Sequence, residues 1–198
     1  MNKFRRSLLS VLAQTQKYES LFGKLDINFK GNQCNSIGTT DYSISASREL
    51  TYNNDNLILN DNAYLQINIA NQFTREATIQ LLVVATPSNN DISNWFRFAT
   101  QRDDLIFGYM TNAVLDAQKP VVITFLLSDT QPRIITYLND VLINEDNPNR
   151  YLWTRLQLGA GDTQPQPQGL TIKRFRIFDS RIDESEVEKY YKEMLANS

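Results

Sequence analysis

Hydrophobic and polar residues alternate along most of this chain. Residues 25–29 read Leu-Asp-Ile-Asn-Phe and residues 65–69 read Leu-Gln-Ile-Asn-Ile, so every second side chain is apolar. This period is typical of β-strands that bury one face. Residues 77–85 keep the alternation but become apolar on both parities near their end. We therefore expect a strand there that is covered on each side, in the middle of a sheet.

Further strand candidates follow at short, regular spacing without intervening helices. They cover residues 95–98, 105–109, 121–127, 133–138, 141–143, 156–158 and 170–178. Two of them flank Asn139-Asp140, a two-residue signal that predicts a β-hairpin. In the last strand the apolar parity slips between Ile172 and Phe175, which predicts a β-bulge. The whole pattern predicts an all-β, antiparallel sandwich or barrel.

The first 22 residues follow a helical period instead. Apolar side chains recur there every three or four residues, which predicts an amphipathic N-terminal helix outside the main domain of residues 23–198. The apolar run after its basic residues is short and contains Ser10, so we expect an uncleaved arm and not a signal peptide. No run approaches the roughly 20 apolar residues of a membrane span. The candidate docking residues of this arm are Phe4, Arg5, Arg6, Leu8 and Leu12.

A second helix is expected near the C-terminus. Asp183 and Glu186 have the spacing of a capping box, in which the Asp183 side chain accepts from the backbone amide of Glu186. Val187 and Met194 belong to the apolar stripe of this helix. We expect the helix to pack against the edge of the sandwich.

Charge and composition narrow the classes of function. The chain carries 20 Lys and Arg against 22 Asp and Glu, for a net charge of −2, which provides no basic field for nucleic acid. Lys173, Arg174 and Arg176 are expected to form the solvent-facing side of the last strand, with a phosphate or polyanion contact as the alternative. The sequence has no histidine, which excludes Ser-His-Asp and Cys-His catalysis and histidine-ligated metal sites.

Amides are the unusual feature of the composition. The sequence has 20 Asn and 13 Gln but only 7 Gly. Asn tolerates left-handed backbone, so it can occupy turn positions that Gly otherwise fills. The alternative is an amide-rich surface that hydrogen-bonds sugars. The single cysteine, Cys34, excludes an intrachain disulfide, and its neutral neighbours favour a packed thiol over a nucleophile.

Four motifs resemble laminin-G-like domains of the concanavalin A-like fold, in the order in which that family has them. Residues 169–191, Gly-Leu-Thr-Ile-Lys-Arg-Phe-Arg-Ile-Phe-Asp-Ser-Arg-Ile-Asp-Glu-Ser-Glu-Val-Glu-Lys-Tyr-Tyr, resemble its closing "deVRIYnrALs" strand and "eEI..LY" helix. Residues 135–143 resemble its "lYvNGvLv" hairpin, residues 77–86 its "tiSfWvk" strand and residues 156–160 its "l.iGa" strand. The resemblance implies an antiparallel two-sheet jelly-roll sandwich.

The chain departs from that family at two motifs. Gln118-Lys119-Pro120-Val121 stands where the family often has Trp-His-His-Val, and Asp140 replaces the hairpin glycine. Asp tolerates a positive φ better than most residues, so we expect the fold to be unaffected. The first nine residues, Met-Asn-Lys-Phe-Arg-Arg-Ser-Leu-Leu, resemble the start of some phage-encoded structural proteins that carry this domain.

The patterns of enzymes and metal sites are missing from the sequence. Some glycoside hydrolases of this fold place two carboxylates on one strand as Glu-x-Asp-x-x-Glu, and no predicted strand has that arrangement. The loop carboxylates Asp140, Asp146 and Asp162 have no converging spacing that would suit calcium. We therefore expect no catalytic residues, no metal and no cofactor.

Aromatic residues near predicted strand ends are candidates for stacking on sugar rings. The candidate glycan contacts are Trp95, Tyr109 and Trp153, and Tyr151 is a further aromatic candidate. Aromatic residues of a sandwich more often belong to the core, so both interpretations stay open.

Together these observations predict a non-enzymatic binding or structural module. The leading hypothesis is a virion protein, a phage capsid or tail decorating or attachment protein, which docks through its arm onto other virion proteins or sister subunits. The alternative is a lectin-like, carbohydrate-binding module on a cell surface or a phage fibre, with an extracellular location and cell-surface glycans as ligands. Neither hypothesis involves nucleic acid or a membrane span.

Overall fold

The structure is a computed structural model that describes residues 25–38, 42–46, 50–59, 65–69, 76–84, 96–100, 105–107, 119–128, 130–146, 153–158, 170–178 and 180–196. Within these residues the chain forms fourteen β-strands in two antiparallel sheets, followed by a 3₁₀ turn and one α-helix. The predicted all-β, antiparallel sandwich is confirmed. The predicted helical arm of residues 1–22 lies outside the described residues.

Most of the strands follow the two-residue period of the sequence. Their bounds are β1 Leu25–Asn28, β2 Asn35–Gly38, β3 Tyr42–Ala46, β4 Thr51–Asn53, β5 Asn56–Leu59, β6 Leu65–Ile69, β7 Ala77–Val84, β8 Phe96–Thr100, β9 Leu105–Phe107, β10 Pro120–Leu127, β11 Ile134–Leu138, β12 Val141–Asp146, β13 Trp153–Leu158 and β14 Leu170–Phe178. The 3₁₀ turn covers Glu184–Glu186, and helix α1 covers Val187–Ala196.

The last strand of the chain holds the first strand in place. Nine strands form one sheet, in the order β12-β11-β10-β7-β14-β1-β2, with β5 paired to β14 and β4 paired to β5. The other sheet has the order β3-β6-β13-β8-β9. β7 pairs with one edge of β14. On the other edge, β5 pairs with residues 170–172 of β14 and β1 pairs with residues 174–177.

The main hydrophobic core lies between the two sheets. β7 contributes Ile79 and Leu81, β10 contributes Phe125, and the five-stranded sheet contributes Ile67 and Leu156, all of them buried. Full burial of one such side chain stabilises the fold by about 1.5–3 kcal/mol. A shift of one residue in β6, which is apolar on one face only, would turn its apolar set outward, so the alternation fixes its register.

Helix α1 covers the outer face of the nine-stranded sheet. Its Met194 packs with Leu82 and Val122, and its Val187 packs in a cluster with Leu126. β7 is therefore covered on both faces, as its sequence predicts. The expectation that this helix packs against the sandwich edge is wrong, because the outward apolar residues of β7 and β10 bring it onto the middle of the sheet.

The 3₁₀ turn before α1 changes the predicted capping. Asp183 Oδ1 accepts from the backbone amide of Ser185 at 2.8 Å and from its hydroxyl at 2.6 Å. The backbone amide of Glu186 donates to the Asp183 carbonyl at 2.9 Å and not to its side chain. The predicted capping box is therefore replaced, because a 3₁₀ turn uses the amide of residue i+3 for its own backbone bond. The hydrogen bonds from Ser185 lower the pKa of Asp183.

The predicted hairpin joins β11 to β12. Leu138 and Val141 pair across its two-residue turn. The left-handed residue is Asn139, with a φ of 57°, and not Asp140, which takes the position of the family's glycine. The Asn139 side chain accepts from the backbone amide of Val122 at 3.0 Å, which ties the turn to β10.

The predicted bulge of β14 is present, between Ile172 and Arg174. The arginines that follow it do not face solvent. Arg174 Nε donates to Oδ1 of the buried Asp26 at 2.9 Å, and the buried Arg176 lies 3.4 Å from Glu193 of α1. The expectation of a solvated face is wrong for these two residues, because β1 and α1 bring carboxylates that compensate their charges.

Candidate functional site

The outer surface of the five-stranded sheet carries uncharged polar side chains on β3 and β6. Ile44 and Ile67 are opposite each other and pack into the core. The neighbouring positions in the register are polar and at least partly exposed. We call these residues the amide face: Ser43, Ser45, Gln66 and Asn68.

Hydrogen bonds connect three residues of the amide face. Gln66 Nε2 donates to Asn68 Oδ1 at 2.8 Å, and Asn68 Nδ2 donates to Ser43 Oγ at 3.3 Å. These bonds orient both amide groups, and each group keeps a second N–H that points elsewhere. The result is an ordered, neutral set of donors and acceptors. Such a set is chemically suited to a ligand that is rich in hydroxyl groups.

The strand register extends the amide face across the sheet. β13 places Arg155 opposite Asn68 and Gln157 opposite Gln66. β8 in turn places Arg97 opposite Gln157. The backbone therefore arranges further amide and arginine positions in the same two rows of the sheet.

Among the aromatic candidates, the described residues include only the backbone of Trp153. Trp153 is the first residue of β13, where it pairs with the last residue of β8. β8 begins one residue after Trp95, and β9 ends two residues before Tyr109; these two strand ends lie together. The length of β8, about 13 Å, separates them from the Trp153 end. Trp95, Tyr109, Tyr151 and the Trp153 side chain lie outside the described residues, so their role stays a prediction.

Many of the described asparagines serve the backbone instead. Two hydrogen bonds connect the turn after β1 to the turn between β4 and β5. The Gly31 amide donates to Asp55 Oδ1 at 2.8 Å, and the Asp55 amide donates to Asn32 Oδ1 at 3.1 Å. Gly31, Asn32, Asn54 and Asp55 have φ values of 72°, 54°, 49° and 62°. Asn and Asp therefore do occupy positions that Gly otherwise fills, as the composition predicts.

A shallow pocket of about 360 Å³ lies beside the start of α1, but its charged groups serve structural contacts. Arg181 Nη2 lies 2.9 Å from Glu184 Oε1, and the Tyr137 hydroxyl donates to Glu184 Oε2 at 2.8 Å. Burial and this hydrogen bond raise the pKa of Tyr137 to about 12. These contacts anchor the 3₁₀ turn on β11. The lining residues are Glu76, Arg181, Ile182, Asp183 and Glu184.

The remaining candidate chemistry in the described part of the chain consists of acidic side chains, one thiol and one α-helix. No group of three His, Cys, Asp or Glu side chains there could hold a metal ion. Cys34 packs against the main core, and burial raises the pKa of its thiol, in agreement with a packed residue. No helix within the described residues has the length and apolar character that a membrane span needs.

Sequence reasoning singled out the aromatic residues and missed the amide face. The signal lay in the polar parity of β6, where Gln66 and Asn68 alternate with apolar residues. β3 gave no comparable signal, because Ser43 and Ser45 flank a single isoleucine.

Comparison with known proteins gives structural relatives but no sequence family. No family model matches the chain, and no curated protein matches it by sequence. The receptor binding domain of botulinum neurotoxin C/D mosaic serotype is 11% identical, with a TM-score of 0.64 over 87% of this chain and 51% of that one. The botulinum neurotoxin serotype D ligand binding domain in complex with N-acetylneuraminic acid is 10% identical, with a TM-score of 0.66 over 88% and 52%. The serotype G binding domain is 14% identical, with a TM-score of 0.61 over 87% and 51%.

These similarities establish a shared β-sandwich fold. The chain spans about half the length of the neurotoxin binding domains that it matches. The finer expectations, a laminin-G-like family and a phage origin, are not supported by these structures.

Proposed function

We propose that this chain is a non-enzymatic binding module for carbohydrates and that the amide face holds the ligand. The observation that carries this proposal is the ordered, neutral set of hydrogen-bonding groups on β3 and β6. Sugar hydroxyls both donate and accept hydrogen bonds, and an amide side chain does both through neighbouring atoms. Because Gln66 and Asn68 are already oriented by each other, they lose little conformational freedom on binding.

The structural relatives support a glycan as the ligand class. One of them, the serotype D neurotoxin domain, was solved in complex with N-acetylneuraminic acid, an acidic sugar. In this chain, the backbone register of β13 and β8 places the positions of Arg155 and Arg97 in the two rows that continue from the amide face. The proposal therefore covers sialylated as well as neutral oligosaccharides, and it implies an extracellular or cell-surface location.

A glycan array followed by titration calorimetry of the full chain tests the proposal. We expect saturable binding to a neutral or sialylated oligosaccharide, and a loss of at least tenfold in affinity for Gln66→Ala/Asn68→Ala. Two lost hydrogen bonds of about 0.7–1 kcal/mol each account for that factor. The matched control is Asn53→Ala, which removes an exposed amide from β4 in the other sheet. Absence of binding across a broad array, or equal affinity of the double variant, contradicts the proposal.

The aromatic candidates of the sequence are tested in the same assay. If Trp95 or Trp153 stacks on a sugar ring, Trp95→Ala or Trp153→Ala lowers the affinity while the unfolding temperature stays unchanged. A fall in unfolding temperature without a change in affinity instead assigns the side chain to the core.

A second candidate function is that of a virion protein docked through residues 1–22. The basic, amphipathic pattern of these residues and the resemblance of the first nine to phage structural proteins favour it. The partners are then other virion proteins or sister subunits. Quantitative mass spectrometry of purified particles, with the full chain and with a chain that lacks residues 1–22, tests this function. We expect the deletion to abolish incorporation, and unchanged incorporation contradicts the docking role.

A further inference from the structure

β3 is an edge strand of the five-stranded sheet. In the described part of the chain it pairs with β6 and with no other strand. All five of its residues, Tyr42–Ala46, pair with β6 in an unbroken register. Because an antiparallel strand directs alternate backbone N–H and C=O groups to its two sides, about half of these groups point away from β6. A row of outward backbone groups is a template for a further strand.

β3 lacks the features that protect the other described edges of the two sheets. The register of β12 is shifted by a bulge, and this strand carries Glu145 and Asp146. β4 and β9 have only three residues each, and β2 has four residues with a glycine at its end. β3 has five residues without charge, proline or bulge. Proteins prevent contacts between edges by bulges, charges and short strands, so β3 is the described edge best suited to pair with another chain.

The side chains of β3 leave this edge open. Ser43, Ser45 and Ala46 are exposed, so an approaching strand meets small, neutral groups. Ile44 packs against the main core but is only partly buried. A strand beside β3 would cover the rest of Ile44 and satisfy the outward backbone groups.

The sequence of β3 favours the same strand of a second copy as the partner. Tyr-Ser-Ile-Ser-Ala has a serine on each side of Ile44. The two-fold antiparallel register that pairs all five residues is centred on Ile44, and it forms about four to six backbone hydrogen bonds. In this register Ile44 faces Ile44 of the second copy, and Ser43 faces Ser45 of the second copy. Directly opposite residues share a face of the sheet, so apolar and polar side chains are both matched.

We infer that two copies of this chain form a symmetric dimer in which their β3 strands pair and the two five-stranded sheets become one. A two-fold axis perpendicular to the sheet relates the copies, so both amide faces point to the same side. The contact closes at two copies, because each β3 has one free edge among the described strands.

The dimer joins the two amide faces into one surface. In one row across it, Gln66 and Ser45 belong to the first copy. The row continues with Ser43 and Asn68 of the second copy. Three strand steps of about 4.8 Å make this row about 14 Å long. On the proposed function, on which this step rests, an extended oligosaccharide that lies along the row contacts both copies.

Sedimentation velocity without sugar tests the dimer. We expect a monomer–dimer equilibrium for the full chain. Ser43→Lys/Ser45→Lys should raise the dissociation constant at least tenfold, since each lysine then faces a lysine of the other copy. Thr51→Lys/Asn53→Lys places the same charges at exposed positions of the edge strand β4 and should dimerise like the unchanged chain. A chain that stays monomeric at about 1 mM, or a β3 variant that dimerises like the β4 variant, overturns the inference.

Opposite charges identify what β3 pairs with. Ser43→Glu/Ser45→Glu should be monomeric alone and should form a one-to-one dimer with Ser43→Lys/Ser45→Lys, because each glutamate then faces a lysine. This mixed dimer should weaken as salt rises. If the two variants remain monomers when mixed, β3 does not face β3 and the inference is wrong. Both positions are exposed, so unchanged unfolding temperatures show that each variant is folded.

The dimer and the glycan site can fail separately. A chain that dimerises but binds no glycan supports the pairing of β3 and contradicts the proposed function. A chain that binds glycans but never dimerises does the reverse. Gln66→Ala/Asn68→Ala lies on β6, away from the paired edge, so it should dimerise normally while it loses glycan affinity.

Discussion

Asp26→Asn removes one negative charge from a position that solvent does not reach. The Asp26 carboxylate is fully buried on the outer face of the nine-stranded sheet and accepts from Arg174 Nε and Nη2. Arg176, also buried, is its direct neighbour in the register of β1 and β14. The amide of asparagine keeps the shape but removes the charge that pairs with Arg174 and lies beside the buried Arg176, whose ion pair with Glu193 is unchanged.

The magnitude follows from the burial of this site. Removing one partner of a buried ion pair costs about 3–5 kcal/mol, because the other charge stays desolvated. For a domain of this size, 1 kcal/mol lowers the unfolding temperature by about 2–4 °C, so we expect a fall of about 6–20 °C. Urea denaturation followed by tryptophan fluorescence gives the free energy of unfolding directly.

Two further variants decide whether the ion pair is the cause. Glu188→Gln breaks the exposed pair with Lys192 and should leave the urea midpoint unchanged. Arg174→Met added to Asp26→Asn should recover part of the loss, because it removes the charge that the first substitution left behind. The reasoning is refuted if Asp26→Asn lowers the urea midpoint no more than Glu188→Gln does. It is also refuted if the double variant loses as much free energy of unfolding as Asp26→Asn and Arg174→Met lose together as single variants.

Two other predictions concern the contacts around the hairpin. The folded chain holds the phenolic proton of Tyr137 with a pKa of about 12 against an ordinary 10. The unfolded chain loses that proton first, so the contribution of Tyr137 to the free energy of unfolding should fall between pH 10 and pH 12. When both chains are titrated with urea, the fall should therefore be smaller in Tyr137→Phe. At neutral pH the same variant should lose about 1 kcal/mol. Asn139→Gly keeps the positive φ but loses the hydrogen bond to the Val122 amide, so it should lower the free energy of unfolding by about 1 kcal/mol. Asn139→Ala also strains the positive φ and should lower the free energy of unfolding by about 2 kcal/mol. Equal unfolding midpoints of the two variants would show that φ does not matter there.

The parts of the fold that the sequence predicted are those in which local pattern and burial agree. β7, the β11–β12 hairpin and the bulge of β14 follow from apolar parity and from Asn139-Asp140. The strands β2 to β5 were missed because Ser, Asn and Thr dominate residues 35–56 and the alternation is weak there. Such segments become strands because partners already in the sheet satisfy their backbone groups.

The errors at the outer face of the nine-stranded sheet have a different origin. Periodicity shows which residues share a face, but not whether another element covers that face. The sequence pattern therefore predicts that Arg174 and Arg176 are solvated. In the structure they form ion pairs with carboxylates of β1 and α1. The amide face was missed for a related reason, since only the pairing of β3 with β6 brings Ser43 to Asn68.

The position of β14 in the topology has a consequence for biosynthesis. Among the described strands, β1, β2, β4 and β5 connect to the rest of their sheet only through β14, which the ribosome makes about 150 residues after β1. Until residues 170–178 emerge, the described strands of this sheet form three separate pieces, β12-β11-β10-β7, β1-β2 and β4-β5, and β7 presents an open edge next to apolar side chains. Such late, long-range closure slows folding and exposes the chain to aggregation. A chain truncated before residue 170 lacks the strand that joins these parts of the sheet, so we expect it to misfold and to be bound by chaperones or degraded by proteases.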